Sequence, residues 1–312
     1  MAAVGKMGAG KSHTTKAHYI LPYHKAQGKS VVVFSPNREK HYDCFDTLYW
    51  DVEDIWKARK EEEKTGHRIV TKSEGYLAAL RPGEIRVVLP ITRKGRTMNT
   101  QQMQLTTRVI FETFHDGLML FDDINKYINH WQATWLLGGM KTIRHNRTDT
   151  IMHMQSVDPF RRIHWEALSL LRLHHDRIDV SHIASKIPQN LYPLLRIAQI
   201  VLKAYQKQHP QAGKYMYLLL DLDAETIRTP DGHFLHEAWY RYAAGRYLAE
   251  DDPRMVRRAA RSFAEQRGKL RHTLADVKAA RTQWVEDHLH YCGLQGVDTP
   301  LTLPWSLNGL AA

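Results

Sequence analysis

At 312 residues the chain is long enough to bury a substantial core and to hold either one large domain or one domain with an appendage. Its 44 Lys and Arg against 33 Asp and Glu give a formal net charge of +11, which favours an anionic partner such as nucleic acid. Two distant cysteines, Cys44 and Cys292, exclude a disulfide framework and a zinc site; no apolar run approaches the roughly 18 residues that cross a bilayer, and with no secretory signal a soluble, intracellular protein is expected.

Residues 1–4 read as a short apolar strand. The segment after it, Gly5-Lys6-Met7-Gly8-Ala9-Gly10-Lys11-Ser12, fits G-x-x-x-x-G-K-[ST] at every fixed position. The pattern predicts nucleoside triphosphate binding. Glycines let backbone N–H groups close around the β-phosphate, the following helix adds its positive end, Lys11 reaches the β- and γ-oxygens, and Ser12 offers a hydroxyl to magnesium. Gly5, Lys6, Gly8, Ala9, Gly10, Lys11, Ser12 and His13 are therefore the expected nucleotide-binding set, with ATP and Mg2+ as cofactors.

Further along, Val31-Val32-Val33-Phe34 within residues 30–35 reads as a buried strand closed by Ser35-Pro36-Asn37, and residues 85–89 read as another, bounded by Arg81-Pro82-Gly83 and Pro90. Residues 53–64 between them form a charged, helix-like segment expected to present a solvated face. Residues 97–115 have a helical pattern leading into Leu118-Met119-Leu120-Phe121-Asp122-Asp123, four apolar residues ending in acid. That reads as a buried parallel strand whose carboxyl end delivers Asp122 to magnesium and offers Asp123 as the base for an attacking water.

A helix is expected over 125–137, stopped by Gly138-Gly139. Arg144 and Arg147 then sit in a short loop before Thr150-Ile151-Met152-His153-Met154-Gln155, another strand. In a parallel sheet Gln155 comes to the same edge as Lys11 and Asp122, where an amide can orient water or sense the γ-phosphate. Either arginine is a candidate finger for a neighbouring subunit's transition state. The last strand expected in the core is 169–173. Alternating strand-like and helix-like runs predict an α/β fold with a mostly parallel sheet.

These residues, GKMGAGKS, then LMLFDD, then RHNRTDTIMHMQS, resemble the FtsK–HerA superfamily of P-loop motor ATPases. They are most similar to its viral branches, the Zot-like proteins of filamentous phages and the genome-packaging ATPases of membrane-containing icosahedral viruses. The resemblance covers residues 1–175 and implies a RecA-like P-loop NTPase core. It also implies catalytic roles for Lys11, Asp123 and Gln155, magnesium ligation by Ser12 and Asp122, and a finger at Arg144 or Arg147. Self-association into a ring, by resemblance a hexamer, is implied, with DNA bound without sequence specificity and a capsid or portal-vertex protein as a further partner. Such a protein acts in the host cytoplasm or in the virion. Zot-like proteins commonly carry a membrane-spanning segment after the ATPase domain, and the lack of an apolar run here favours a packaging motor over export. Lys6 resembles the extra lysine of ParA-like and MinD-like partition ATPases, although Met7 departs from the glycine usual there.

After residue 176 the character changes to longer helical stretches, so the expected organisation is an ATPase core over 1–176 and a mainly helical extension over 177–312. One strand is expected at 214–220. Asp221 and Asp223 follow it and read as a turn. From 252 to 288 the pattern is helical and basic, with Arg254, Arg257, Arg258, Arg261, Arg267, Lys269, Arg271, Lys278 and Arg281. Two readings of this stretch stay open: a nucleic-acid or capsid-binding arm, and a solvated helix packing through Met255, Phe263, Leu270, Leu274 and Trp284. His174-His175-Asp176 and His288, His290 and Cys292 form no tetrahedral ligand set.

Overall fold

The computed structural model describes residues 1–92, 98–124, 147–157, 160, 162–174, 186–188, 190–211, 215–249 and scattered positions from 275 to 287. The chain divides into two compact units, Met1–Ala167 and Leu168–Ala312. The expected helix over 125–137 and Arg144 lie outside the described residues, as does most of the basic stretch 252–288.

In the first unit, β1 (Ala2–Val4) leads to α1 (Lys11–Thr15), a π-helical turn (Lys16–Ile20) and α2 (Leu21–Gln27). There follow β2 (Ser30–Phe34), β3 (Asp46–Asp51), α3 (Val52–Thr65), α4 (Lys72–Ala78), β4 (Ile85–Ile91), α5 (Thr100–Thr113), β5 (Gly117–Phe121), β6 (Asp149–Met154) and α6 (Arg162–Glu166). Six strands run parallel in the order β3-β4-β2-β5-β6-β1. Both β2 and β5 are buried at every residue, which is what a parallel strand with a neighbour on each side requires and why their sequences are unbroken apolar runs.

Three elements of this unit have no counterpart in the sequence reading: β3, α4 and the short α6. In β3, Asp46-Thr47-Leu48-Tyr49-Trp50-Asp51, Trp50 is fully buried while Tyr49 is 59 % exposed; as the outermost strand on its side it is half polar and lacks the apolar run of β2. In α4 the signal is a capping box, Thr71 with Glu74, rather than an apolar stripe. The charged helix α3 is solvated over most of its length but buries Val52, Ile55 and Ala58 along one edge. Asp51 caps it by accepting from the backbone N–H groups of Glu53 and Asp54, each at 3.0 Å.

Gly117 opens β5 opposite Ser30 of β2. A Cβ there would collide with the carbonyl oxygen of Ser30 and with the ring of Phe114. Since the first obstacle is backbone of a central strand, Gly117→Ala is expected to destabilise the protein by about 1–3 kcal/mol. Chemical denaturation tests this, and a loss within experimental error of zero would show that the strand pair shifts without cost.

In the second unit, β7 (Leu170–Leu173), β8 (Leu218–Asp221) and β9 (Thr226–Arg228) are antiparallel neighbours, accompanied by α7 (Leu191–Gln208) and α8 (Glu237–Ala249). Asp221 Oδ1 accepts from the N–H of Ala224 at 2.9 Å. That is a side-chain-closed turn between β8 and β9, as expected for the Asp221 to Asp223 segment. No helix among the described residues is long and apolar enough to cross a membrane.

Candidate nucleotide-binding site

The site starts where β1 ends. The N–H of Gly5 donates to Met154 O at 3.0 Å, carrying the β1–β6 ladder one residue further, and the chain then leaves the sheet. Gly8 and Gly10 have φ of +78° and +82°, the left-handed region where a side chain costs energy. Around Gly8 a Cβ would meet nothing within 4 Å, so it is the turn and not crowding that requires glycine, and the space above the loop is open. Gly10 then serves as N-cap of α1 with no side-chain cap, at the end of a helix where first-turn N–H groups favour an anion.

Lys11 is bent back across this loop, its Nζ donating to Gly5 O at 2.6 Å and to Lys6 O at 3.1 Å. An ammonium holding the loop's own carbonyls sits where it can exchange them for phosphate oxygens. Ser12, half-buried, occupies the first turn of α1, while Lys6 and His13 are exposed and Met7 is 82 % exposed. The ring of His13 packs edge-on against that of His41 at 6.2 Å.

The acid-bearing strand reaches the same edge two positions away, with β6 between it and β1. Asp122 follows β5, 4 % exposed, its N–H donating to Phe34 O at 3.0 Å. Leu118, Leu120 and Asp122 alternate onto one face of the strand. Asp123 would point to the opposite face if the strand continued, but its φ of +55° turns the chain. Aspartate tolerates this conformation better than most residues, and the turn brings both carboxylates to one edge.

Each carboxylate is held by β6 or by the residue just beyond it. Gln155 Nε2 donates to Asp123 Oδ1 at 2.8 Å, and Asn37, from the loop after β2, approaches Oδ2 at 3.5 Å. His153 Nδ1 donates to Asp122 Oδ1 at 2.8 Å, while its Nε2 lies 2.7 Å from Thr15 Oγ1. The structure therefore brings together Lys11, Ser12, Asp122, Asp123 and Gln155 at the carboxyl edge of the sheet. Arg147 is elsewhere. It is exposed, with φ of +51°, just before β6 begins, and the length of that strand puts it roughly 20 Å from its own site, at the opposite edge.

His153, Thr15 and Asn37 were not singled out from sequence. The signal for His153 was there: in Ile151-Met152-His153-Met154-Gln155 it shares the period-2 face of Gln155, a polar residue in an otherwise apolar buried strand.

A glycine-rich loop between a strand and a helix, joined by an acid-tipped strand in a parallel sheet, defines an α/β protein of the P-loop NTPase fold. The oxygen donors of Ser12 and Asp122 suit a hard cation such as Mg2+, and the open, glycine-lined loop at the start of α1 suits a phosphate chain.

No protein-family model matches this chain, and no curated protein matches it. Among solved structures it is similar to the genome packaging NTPase B204 from Sulfolobus turreted icosahedral virus 2 in complex with ATP-gammaS, at 16 % identity and TM-score 0.46, over 73 % of this chain and 93 % of that one. The same protein with AMPPCP matches at 15 % identity and TM-score 0.47, over 75 % and 97 %. B204 described as the DNA-packaging ATPase from Sulfolobus turreted icosahedral virus matches at 16 % identity and TM-score 0.42, over 75 % and 97 %.

Proposed function

We propose that this protein is a magnesium-dependent ATPase whose hydrolysis moves DNA, in the manner of a viral genome-packaging motor. The observation that carries the ATPase reading is the pair of adjacent carboxylates held in different ways at the phosphate-loop edge, Asp122 by His153 and Asp123 by Gln155. One acid is buried and fixed beside α1, as a metal ligand should be. The other is partly exposed, as a base for water should be.

In this mechanism the N–H groups from Gly8 to Ser12 cradle the phosphates, and Lys11 leaves the carbonyls of Gly5 and Lys6 for the β- and γ-oxygens. Ser12 and Asp122 would hold Mg2+, which would supply charge neutralisation on the phosphate oxygens. Asp123 takes the proton of the attacking water, and Gln155 fixes the Asp123 carboxylate and senses whether the γ-phosphate is present. Arg147, at the far edge of the sheet, serves a neighbouring subunit in a ring, with Arg144 the other candidate for that task. Hexameric closure follows the family resemblance.

The net charge of +11 supports non-specific DNA binding, and the resemblance supports a capsid or portal-vertex partner and action in the host cytoplasm or virion. Zot-like export and a ParA-like partition switch use the same site and differ in what accompanies turnover. Steady-state ATP hydrolysis with and without DNA separates them: stimulation by DNA supports the motor, whereas ATP-dependent dimerisation with slow, DNA-independent turnover overturns it. Lys11→Ala is expected to lower hydrolysis by about 100-fold or more, since it removes a principal donor to the transferring phosphoryl group. Retained hydrolysis in that variant would place the nucleotide elsewhere.

A further inference from the structure

His153 is fully buried in a strand with neighbours on both sides, where an aliphatic residue is the rule. A buried imidazole is tolerated only when its nitrogens are bonded, and here both are. An ionised Asp122 can only accept, so Nδ1 carries the proton; a neutral ring then accepts at Nε2 from the Thr15 hydroxyl. One tautomer satisfies both contacts and links two segments more than a hundred residues apart.

The helix on the other side is built for this contact. Immediately after Thr15 the winding changes to a π turn over Lys16–Ile20, in which the bonding repeat lengthens from four residues to five. Thr15 and Ile20 are five apart, and both are fully buried: Thr15 meets His153, and Ile20 packs in the apolar cluster that contains Ile151. Ile151 and His153 are themselves two apart on one strand face. Thr15 also lies one turn beyond Ser12, so whatever anchors Thr15 anchors Ser12.

We propose that His153 is a positioning residue of the magnesium site: through Oδ1 of Asp122 on one side and Thr15 on the other, it fixes the spacing between Asp122 and Ser12. The inference rests on the nucleotide-site reading above. Without this bridge the P-loop still binds phosphate, but Mg2+ no longer strengthens that binding.

The test compares binding of a fluorescent, non-hydrolysable ATP analogue to the full chain in Mg2+ and in EDTA. In the wild type, Mg2+ is expected to tighten binding. His153→Leu should lose about 10- to 100-fold of that tightening, the range for partners that orient metal ligands, with affinity in EDTA unchanged. Thr15→Val, which leaves His153 and Asp122 in place, should lose a smaller part, and His153→Asn, whose amide can still donate to Asp122, should recover much of it. If His153→Leu does not fold, Thr15→Val and His153→Asn carry the test. Wild-type Mg2+ dependence in the variants overturns this inference alone. Failure of the wild type to bind, or equal binding by Lys11→Ala, overturns the nucleotide-site reading and this inference with it.

Discussion

Asp123→Asn is expected to lower ATP turnover by about 10²- to 10⁴-fold, the contribution of a positioned general base, while leaving affinity for Mg2+ and ATP near that of the wild type. The substitution is unusually clean here. Asparagine tolerates the left-handed backbone at φ +55° as well as aspartate does, and its amide oxygen can still accept from Gln155 Nε2, as Asp123 Oδ1 does at 2.8 Å. What is lost is the basic lone pair. Hydrolysis assays paired with binding of a fluorescent nucleotide check both halves. A turnover loss below tenfold would mean that another group takes the proton, and a parallel loss of binding would mean that Asp123 serves the metal instead.

The largest expected effect on stability lies away from the site, at Glu74. It is 1 % exposed and meets partners from three segments. Oε2 accepts from the N–H and hydroxyl of Thr71, at 3.0 Å and 2.8 Å, closing the cap of α4. Oε1 accepts from Arg59 of α3 and from Arg68 Nη2, the latter at 3.0 Å. Glu74→Ala removes the cap and takes a carboxylate away from a guanidinium only 14 % exposed. Breaking a buried pair on one side typically costs about 3–5 kcal/mol. Because Arg59 keeps Glu62 as a partner, the lower end of that range is expected, read as a fall in the denaturation midpoint. Glu74→Gln, which keeps an acceptor oxygen, should fall between. A cost under about 1 kcal/mol, the level of surface pairs, would show that Glu62 and the carbonyl of Ile69 satisfy Arg59 without Glu74.

The phosphate loop, the acid strand and Gln155 were legible because each combines a local residue pattern with a local conformation. A run such as Val31-Val32-Val33-Phe34 can be buried on both faces only inside a sheet, and Gly8 and Gly10 answer to backbone angles set within a few residues. The bounds of these elements shift by a residue or two, as when the strand expected over 85–89 extends to Ile91. Strand β3 was not legible, because an outermost strand needs only alternate burial and Trp50 carries nearly all of it. Helix α4 was not legible either: its cap pair, Thr71 and Glu74, is a weak signal without the arginines of other segments that meet it.

From sequence alone came the chemistry we propose: a loop for phosphate, hydroxyl and carboxylate oxygens for a hard cation, and an amide for a water or a γ-phosphate. Those follow from the donors, acceptors and charges that side chains carry wherever they are placed. The tertiary structure alone decided which carboxylate is buried and which is open to water, that Arg147 lies at the edge away from its own site, and that His153 joins Asp122 to Thr15. Strand order and the left-handed turn at Asp123 produce these outcomes by bringing together groups separated by 31 and 138 positions, and a pairing at that range depends on the register of whole elements, which no neighbouring residue encodes.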